Sequence, residues 1–267
     1  MVYNKQDFNI AHILECGQIF NYEKIDNNYI VYAEDKMAKV IEKCDNYEII
    51  TPDTSYFENF FDLKTNYSII KQQLKNKYSF LDKAIDFGYG IRILNQNPTE
   101  MVISFIISAN NNIPRIKKSI KGICEKFGEN NGEYYSFPTL EQLSVATEED
   151  FKNLGLGYRS GQMVKAIKQL NKINLENIKN FSTNNAIEEL LKISGVGPKV
   201  ADCIMLFGLH DMNVFPVDTW IEKVYNTYFT KIRQENRKII RENLTKEFGA
   251  LSGYAQQYLF YFQRSGQ

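Results

Sequence analysis

This chain of 267 residues has few histidines, and its cysteines are not clustered in the sequence. His12 and His210 are its two histidines, and its four cysteines are scattered with no pair in Cys-x-x-Cys spacing. Zinc and iron–sulfur centres need several thiolate or imidazole ligands, whose spacing usually shows in the sequence. We therefore expect no such metal centre, and we interpret the four cysteines as reduced thiols.

Long apolar stretches are also missing. A membrane-spanning helix needs about 20 apolar residues, whereas the most apolar run covers only residues 101–109. Residues 1–7 include charged and polar side chains, unlike the apolar core of a signal peptide. No glycine-rich phosphate loop of the Walker or Rossmann kind occurs, which disfavours an unrelated cofactor-dependent metabolic enzyme. These absences predict a cytoplasmic protein that does not associate with membranes.

The remaining composition is typical of a folded protein. Hydrophobic residues make up 43% of the chain and charged residues 24%, which is sufficient for a large core. The net charge of zero hides an asymmetry: residues 1–150 carry 16 basic and 22 acidic side chains, whereas residues 151–267 carry 16 and 10. The basic second half supports a surface that faces nucleic acid.

Two kinds of periodicity divide the chain. Short β-branched and aromatic runs, separated by Asp- and Asn-rich turns, predict antiparallel strands at residues 18–22, 29–33, 38–41 and 47–50. From Ser55 onward the apolar spacing is helical. The pattern predicts an α+β fold, in which residues 1–90 form a small N-terminal antiparallel sheet domain with linking helices. Residues 91–267 are expected to form a mostly helical body.

One segment carries the strongest functional signal. Two apolar helical stretches meet at Gly195-Val196-Gly197, which predicts a tight hairpin, since glycine permits positive φ and the close approach of another backbone. Pro198 suits the first turn of the second helix. The free N–H groups at the start of that helix are suited to binding a DNA phosphate.

Two ionisable residues follow this hairpin. Lys199 lies in the first turn of the second helix, where the helix dipole disfavours the ammonium form and favours the nucleophilic amine. Asp218 follows nineteen residues later, at the start of the next helix. It can stabilise a developing positive charge, or it can cap its helix alongside a capping box of Thr219 and Glu222. The two roles are compatible.

The hairpin is one of several characteristic segments. The others, in chain order, are Gly17-Gln18-x-Phe20; Gly90-Ile91-Arg92, which leads into Phe105-Ile106-Ile107-Ser108-Ala109-Asn110-Asn111-Asn112-Ile113-Pro114-Arg115-Ile116; Leu154-Gly155-Leu156-Gly157-Tyr158-Arg159; and Gly253-Tyr254-Ala255-Gln256-Gln257-Tyr258-Leu259-Phe260. With Lys199 and Asp218, they make the chain resemble the 8-oxoguanine DNA glycosylase/AP lyase family of the helix-hairpin-helix-GPD superfamily. The resemblance extends over nearly the whole chain.

The resemblance implies a bifunctional enzyme of base excision repair. Lys199 would attack the sugar C1′, release 8-oxoguanine paired with cytosine, and form a Schiff base from which β-elimination nicks the strand. Asp218 would stabilise the positive charge on the sugar. Gly195, Val196 and Gly197 would hold the DNA backbone.

The resemblance also sets expectations for the fold and the partners. The N-terminal sheet domain would be TBP-like. The partner would be duplex DNA containing 8-oxoguanine, and the protein would act as a monomer. No cofactor or metal is implied in the catalytic site, although a monovalent or divalent cation could bind the hairpin carbonyls.

A glycosylase must turn its target base out of the duplex and into a pocket. By resemblance, Cys203 and Phe260 would sandwich the base, and Gln256 would read its Watson–Crick edge with an amide that both donates and accepts. Gly17 would place its carbonyl against N7, which bears a hydrogen in 8-oxoguanine and a lone pair in guanine. Without the family context, the first three would be interpreted as packing residues and Gly17 as a turn glycine.

Four further residues would act where the base has left the duplex. Asn110, Arg115 and Arg159 would read the orphaned cytosine, since arginine donors match its exposed acceptors. Tyr158 would act as a wedge beside the lesion. Together these residues predict discrimination against adenine opposite the lesion. Asn110 and the next two asparagines, taken alone, would be interpreted as a helix end and a turn.

Two positions depart from the family pattern. The family commonly has a histidine two residues after the aspartate and an acidic partner near the C-terminus, whereas this chain has Trp220 and Gln263. Two alternatives stay open: a helix-hairpin-helix glycosylase for another damaged base, such as an alkylated or ring-opened purine, and a non-catalytic DNA-binding module. The missing four-cysteine loop disfavours the endonuclease III type, and Lys199 disfavours a monofunctional alkylbase glycosylase.

Overall fold

The computed structural model describes residues 1–266, in which a five-stranded antiparallel sheet precedes a mostly helical body. The strands β1 to β5 are Val2–Asn4, Tyr22–Ile25, Asn28–Ala33, Lys36–Glu42 and Asn46–Ile50. Their order in the sheet is β1-β5-β4-β3-β2. The hairpin turns after β2 and β3 contain Asp26 and Glu34, with φ of 54° and 55°. This arrangement confirms the predicted α+β fold.

The helical body begins after the sheet and continues to the end of the described chain, and one further helix, α1, lies between β1 and β2. The helices α1 to α15 are Ile10–Glu15, Thr54–Phe60, Tyr67–Leu74, Ser79–Phe87, Pro98–Ser108, Ile113–Phe127, Leu140–Leu143, Glu148–Asn153, Ser160–Leu170, Leu175–Ile178, Thr183–Leu190, Pro198–Phe207, Thr219–Tyr228, Arg237–Phe248 and Ser252–Ser265. Single 3₁₀ turns occur at Lys5–Asp7, Gly157–Arg159 and Gly249–Leu251. None of the helices described in residues 1–266 is long and apolar enough to cross a membrane.

One strand differs from its prediction. The sequence predicts a strand at residues 18–22, but β2 begins only at Tyr22. The cause is the buried side chain of Gln18, which donates to the carbonyls of Ile13 (2.9 Å) and Arg92 (2.8 Å) and accepts from the N–H of Leu94 (2.8 Å). These bonds hold the backbone before β2 against the body of the protein, outside the ladder of the sheet.

Buried apolar residues form two cores. The smaller core includes Val31 and Val40 of the sheet and Phe57 of α2. The larger core fills the helical body, and it includes Leu74 of α3 and Leu81 of α4. The helix α4 also packs along α15, at the other end of the chain. The division at residue 90 stays a prediction, because core membership alone does not define a domain boundary.

Arg92 joins two segments of the first part of the molecule. Its side chain is 1% exposed, and its guanidinium lies 4.1 Å from the centre of the Tyr67 ring. It donates to the carbonyls of Phe61 (3.0 Å), Asp7 (3.0 Å) and Thr65 (2.8 Å). Burying a guanidinium is tolerable only where acceptors surround it. Arg92 is therefore a structural tie between the N-terminal segment and the loop after α2.

Glu100 links the first turn of α5 to the turn between β3 and β4. Its carboxylate accepts from the N–H of Glu34 (3.3 Å), and the Glu34 carboxylate accepts from Asn97 (3.1 Å) and Tyr56 (2.9 Å). Burial raises the pKa of Glu100 to about 8. The folded protein therefore holds this carboxyl group mainly protonated at neutral pH.

We expect Glu100→Gln to stabilise the protein at alkaline pH and to have its smallest effect near pH 5. An ordinary glutamate ionises near pH 4.5 whereas the folded Glu100 ionises near 8, so the wild type loses stability as the pH rises between these values. At about 1.4 kcal/mol per pH unit, the gain in free energy of unfolding reaches a few kcal/mol, with about 5 as the upper bound. Urea unfolding at pH 5 and pH 8 measures it.

The exposed Glu125 provides the control for this prediction, because Glu125→Gln removes a carboxyl group without removing a buried one. Its effect on stability should be small and nearly the same at both pH values. A stabilisation by Glu100→Gln that did not depend on pH would contradict the assignment.

Candidate active site

The predicted hairpin lies between α11 and α12. Gly195 has φ of +85°, and the N–H of Val196 donates to the carbonyl of Ile193 (3.0 Å), which closes the turn. Gly197 is the N-cap of α12 and has an extended backbone, with φ of −98°. Only the first glycine therefore uses positive φ. In residues 1–266 no atom lies within 4 Å of a Cβ placed on Gly197, so this side of the hairpin is open.

The side-chain amide of Gln169 holds the hairpin in place. Its Oε1 accepts from the N–H of Ser194 (2.8 Å), and its Nε2 donates to the carbonyl of Lys192 (2.9 Å). Gln169 belongs to α9, so the hairpin is fixed by an element outside it. A fixed turn presents its backbone groups in one geometry, which is the requirement for binding a rigid ligand such as a phosphate backbone.

Lys199 is half-buried in the first turn of α12, with Nζ 5.2 Å from the centre of the Phe105 ring. One turn later, burial raises the pKa of the Cys203 thiol to about 11. The Lys199 ammonium opposes that shift, and the Asp218 carboxylate adds to it. Lys199 and Cys203 lie one turn apart on α12, and the charges of Lys199 and Asp218 both act on the buried sulfur.

Asp218 is the N-cap of α13. Its Oδ1 accepts from the N–H groups of Trp220 and Ile221, both at 3.0 Å. The predicted capping box of Thr219 and Glu222 is therefore wrong, because the helix begins one residue earlier than that box requires. Among residues 1–266, Oδ2 has no hydrogen-bond donor, so this oxygen of the half-buried carboxylate stays free for a second role.

A buried ion pair anchors α12 below Lys199. Arg241 of α14 donates to both carboxylate oxygens of Asp202, at 2.6 and 2.8 Å. Burial raises the pKa of Asp202, and the guanidinium opposes that rise. Paired bonds of this kind fix geometry as well as charge. They hold the turn that follows Lys199 against α14.

The C-terminal helix α15 faces these groups. Gln256 is buried, and its Nε2 donates to the carbonyl of Pro216 (3.3 Å), two residues before Asp218. Its Oε1 has no hydrogen-bond partner among residues 1–266. An unpaired buried acceptor costs free energy in a folded protein. Gln256 therefore offers an unused acceptor beside the segment that carries Asp218.

Gly17 lies against the same helix and has φ of +86°. A Cβ placed there would be 3.2 Å from Cε1 of Phe260 and 2.9 Å from Nη1 of Arg264. The positive φ therefore favours glycine, and a side chain there would also press on the ring of Phe260. The Arg264 guanidinium also lies 5.1 Å from the centre of the Phe260 ring.

The predicted opposite-base residues are only partly assembled. Arg159 is buried and donates to the carbonyls of Ala109 (2.8 Å from Nε) and Asn110 (2.8 Å), and it lies 4.4 Å from the centre of the Tyr158 ring. Asn110 is exposed with φ of 49°, and Tyr158 is 68% exposed. Asn110, Tyr158 and Arg159 thus form one group. Arg115 is exposed in the first turn of α6, and no hydrogen bond joins its side chain to that group within residues 1–266.

Sequence reasoning misses four residues that shape this site: Phe105, Gln169, Gln257 and Arg264. The apolar stretch around Phe105 indicates only an ordinary core residue of α5. Arg264 follows Phe260 by four residues, so helical spacing could have indicated their contact. The partners of Gln169 and Gln257 are 23 and 241 residues away. Local sequence contains no signal for contacts of that kind.

Comparison with known proteins places this chain in a family. Residues 1–102 match the family described as 8-oxoguanine DNA glycosylase, N-terminal domain. Residues 103–249 match the HhH-GPD superfamily of base excision DNA repair proteins. The chain belongs to the 8-oxoguanine DNA glycosylase family.

Relatives of this family span nearly the whole chain. A probable N-glycosylase/DNA lyase of Methanothermobacter thermautotrophicus is 34% identical, over 78% of this chain and 74% of its own length. The N-glycosylase/DNA lyase of Saccharomyces cerevisiae is 29% identical, over 96% of this chain and 84% of its own. The 8-oxoguanine glycosylase/lyase of Clostridium acetobutylicum is 40% identical, with a TM-score of 0.92 over 100% of this chain and 98% of that chain. It was solved with duplex DNA containing cytosine opposite 8-oxoguanine.

We expect Arg241→Met to lower the free energy of unfolding by about 3–5 kcal/mol, because it leaves the Asp202 carboxylate buried without a partner. Arg237→Met in the same helix is the control, since its 2.7 Å ion pair with Glu222 is partly exposed and is worth about 0–1 kcal/mol. Denaturant unfolding of both variants measures the difference. Equal, small losses would show that the Asp202 pair does not anchor α12.

Proposed function

We propose that this protein removes 8-oxoguanine paired with cytosine from duplex DNA and then cleaves the strand at the abasic site. The observation that carries the proposal is that the hairpin leads directly into the helix with Lys199 and Cys203, while Gln256 binds the segment that ends at Asp218 and keeps an unpaired acceptor there. An amine, a carboxylate and a purine-reading amide are the groups that this chemistry requires. The related Clostridium acetobutylicum structure, with its cytosine–8-oxoguanine duplex, supports the same substrate.

Lys199 is the proposed nucleophile. Its Nζ forms a bond to C1′ of the sugar while the bond from C1′ to N9 breaks, and the base leaves with that electron pair. One amine proton passes to the departing base, and the bond from C1′ to O4′ then breaks as O4′ takes a proton from solvent, which gives a protonated Schiff base. Removal of a proton from C2′ then expels the 3′ phosphate by β-elimination. The position of Lys199 at the start of α12 places the amine next to the hairpin that would hold the DNA backbone.

Asp218 is proposed to stabilise the positive charge that develops on the sugar as the base departs. Its Oδ1 is held by two backbone N–H groups, so the carboxylate is oriented before substrate binds. The free Oδ2 is the oxygen available to the sugar. A preoriented charge needs no reorganisation during the reaction, which is the basis of electrostatic catalysis.

The proposed base pocket is formed by Gly17, Cys203, Gln256 and Phe260. The unpaired Oε1 of Gln256 would accept from the N–H groups on the Watson–Crick edge of a guanine-type base, and this bond would satisfy its buried acceptor. Phe260 and Cys203 would cover the two faces of the base. The carbonyl of Gly17 would accept from N7–H, which 8-oxoguanine has and guanine lacks.

The orphaned cytosine is proposed to be read by Asn110, Arg115 and Arg159, with Tyr158 filling the gap in the duplex. Tyr158 is well exposed and stacks with a buried guanidinium that is itself fixed by backbone carbonyls. Arg159 therefore supports the wedge, and the freely exposed Arg115 is the residue best placed to change its contacts when DNA binds.

Gly195, Val196 and Gly197 are proposed to bind the DNA backbone through the open side of the hairpin. A cation at the hairpin carbonyls, a monomeric state and a cytoplasmic location stay predictions. The departure at Trp220 and Gln263 also bears on DNA binding: Gln263 is buried, and its Nε2 has no partner among residues 1–266. Trp220 is 36% exposed, so its indole N–H can still donate a hydrogen bond to a phosphate.

The decisive experiment is borohydride trapping on a labelled duplex that carries one 8-oxoguanine opposite cytosine. We expect a covalent complex with this duplex, none with an undamaged duplex, and none with Lys199→Gln. The Lys199→Gln variant should also lose base release and nicking while it keeps lesion binding, because the amine is the group that forms the Schiff base. Exposed Lys192→Gln, on the other side of the hairpin, is the control.

The other outcomes separate the alternatives. Nicking at the wild-type rate by the Lys199→Gln variant would reject the assignment of Lys199 as the nucleophile. Lesion-specific release without trapping would indicate a monofunctional enzyme that acts through Asp218. Trapping only on a duplex with an alkylated or ring-opened purine would indicate a different substrate. Binding without release from any of these duplexes would indicate a DNA-binding module.

We expect Arg115→Ala to reduce the preference for cytosine over adenine opposite the lesion by about five- to a hundredfold, since a bidentate contact to a base is worth about 1–3 kcal/mol. The measurement is single-turnover cleavage of duplexes that differ only in the opposite base. Lys118→Ala, an exposed residue one turn later in α6, is the control. A preference that survives Arg115→Ala would assign the reading of cytosine to Asn110 and Arg159.

A further inference from the structure

The backbone segment that precedes β2 is held by α15 at two consecutive carbonyls. Arg264 donates from Nη2 to the carbonyl of Glu15. Gln257 donates from Nε2 to the carbonyl of Cys16, at 2.8 Å. On the other side, Gln96 donates to the carbonyl of Gln18, at 2.9 Å. Three side-chain donors therefore fix the backbone on both sides of residue 17.

Within residues 1–266, the carbonyl of Gly17 has no hydrogen-bond donor, whereas the carbonyls of Glu15, Cys16 and Gln18 all have one. Gly17 is also half-exposed between Cys16 and Gln18, which are fully buried. An unpaired carbonyl among three neighbours that side chains hold in place is a directed acceptor, and it keeps its hydrogen-bonding capacity for a ligand.

We propose that Gln257 and Arg264 are positioning residues that set where the Gly17 carbonyl points, and thereby determine how well the enzyme distinguishes 8-oxoguanine from guanine. This inference rests on the function proposed above, in which that carbonyl accepts from N7–H. Neither residue needs to contact DNA. Each acts through the backbone of residues 15–17.

Arg264 positions two parts of the pocket at once. Its guanidinium lies 5.1 Å from the centre of the Phe260 ring, and its Nη1 is the atom nearest to a Cβ placed on Gly17, at 2.9 Å. Gln257, Phe260 and Arg264 are spaced i, i+3 and i+7 along α15, so they share one face of the helix. The helix α15 therefore sets the positions of both the ring that would stack on the base and the carbonyl that would accept from it.

The effect on selectivity follows from the opposite behaviour of the two bases at N7. A well-placed carbonyl attracts the N7–H of the lesion and repels the N7 lone pair of guanine. A displaced carbonyl loses part of both effects. The ratio of the two affinities should therefore fall more than the affinity for DNA as a whole.

The test uses the full chain with Lys199→Gln, so that binding is measured without turnover. Three duplexes with cytosine in the opposite strand are compared: one with 8-oxoguanine, one with 8-bromoguanine, which is substituted at C8 but has a lone pair at N7, and one with a tetrahydrofuran abasic analogue, which has no base. Arg264→Lys keeps the positive charge but removes the guanidinium fork. Gln257→Leu keeps the approximate volume of the side chain and removes the donor.

The matched control is Asn226→Leu. The Nδ2 of Asn226 also donates to backbone carbonyls, those of Glu222 and Gln234, both at 2.9 Å. The control therefore loses amide-to-carbonyl bonds of the same kind, but its partners are Glu222 and Gln234 and none belongs to residues 15–18. Thermal unfolding of every variant shows which of them are folded at the temperature of the binding assay. Arg264 is half-exposed, so Arg264→Lys keeps the test valid if Gln257→Leu does not fold.

We expect both variants to reduce the preference for 8-oxoguanine over 8-bromoguanine by about three- to tenfold, the effect of one misplaced hydrogen bond. Their affinity for the abasic duplex should stay within about twofold of the parent. An unchanged preference, an equal loss on all three duplexes, or the same loss of preference in Asn226→Leu would overturn the proposal. If the Lys199→Gln parent protein itself showed no preference for 8-oxoguanine, the function proposed above would be rejected, and the positioning role with it.

Discussion

The packing of α15 across the segment that precedes β2 is the contact on which the candidate site depends. These two elements lie at opposite ends of the chain, and the bond between Gln257 and Cys16 joins residues 241 positions apart. α15 also donates to Pro216 through Gln256. One helix thus defines the positions of Gly17, Phe260 and the segment leading to Asp218. Without this packing, no single element would fix the relative positions of the pocket residues.

A second constraint concerns α12, where successive turns face different surroundings. Lys199 and Cys203 are spaced i, i+4 and lie on the side of the proposed pocket. Asp202 lies between them in sequence but points to Arg241, and this pair replaces hydration that the buried carboxylate has lost. The Asp202 side of α12 is therefore held against α14, while the side that carries Lys199 stays partly exposed. In a similar way, the side-chain amide of Gln169 holds the hairpin that precedes α12.

Many features could be predicted from the sequence because their physical causes are local. α13 spans the predicted residues, since Asp218 caps it and apolar spacing continues to Tyr228. The hairpin follows from its glycines and Pro198. Local rules failed where a side chain bonds to a distant backbone: Gln18 removes its own segment from the sheet. They also predicted a capping box of Thr219 and Glu222 that does not form, because Asp218 is the N-cap and accepts from the N–H groups of Trp220 and Ile221.

The sequence by itself determined the fold class, the hairpin, and the identities of the residues that resemble those of a glycosylase. These depend on periodicity, backbone preference and motif order, which are properties of short stretches of chain. Only the tertiary structure decided that Gly17 keeps a free carbonyl, that Gln256 keeps a free acceptor, and that the carbonyls of Ala109 and Asn110 hold the Arg159 guanidinium. Whether a polar group is paired depends on every neighbour in space, and a linear sequence does not specify those neighbours.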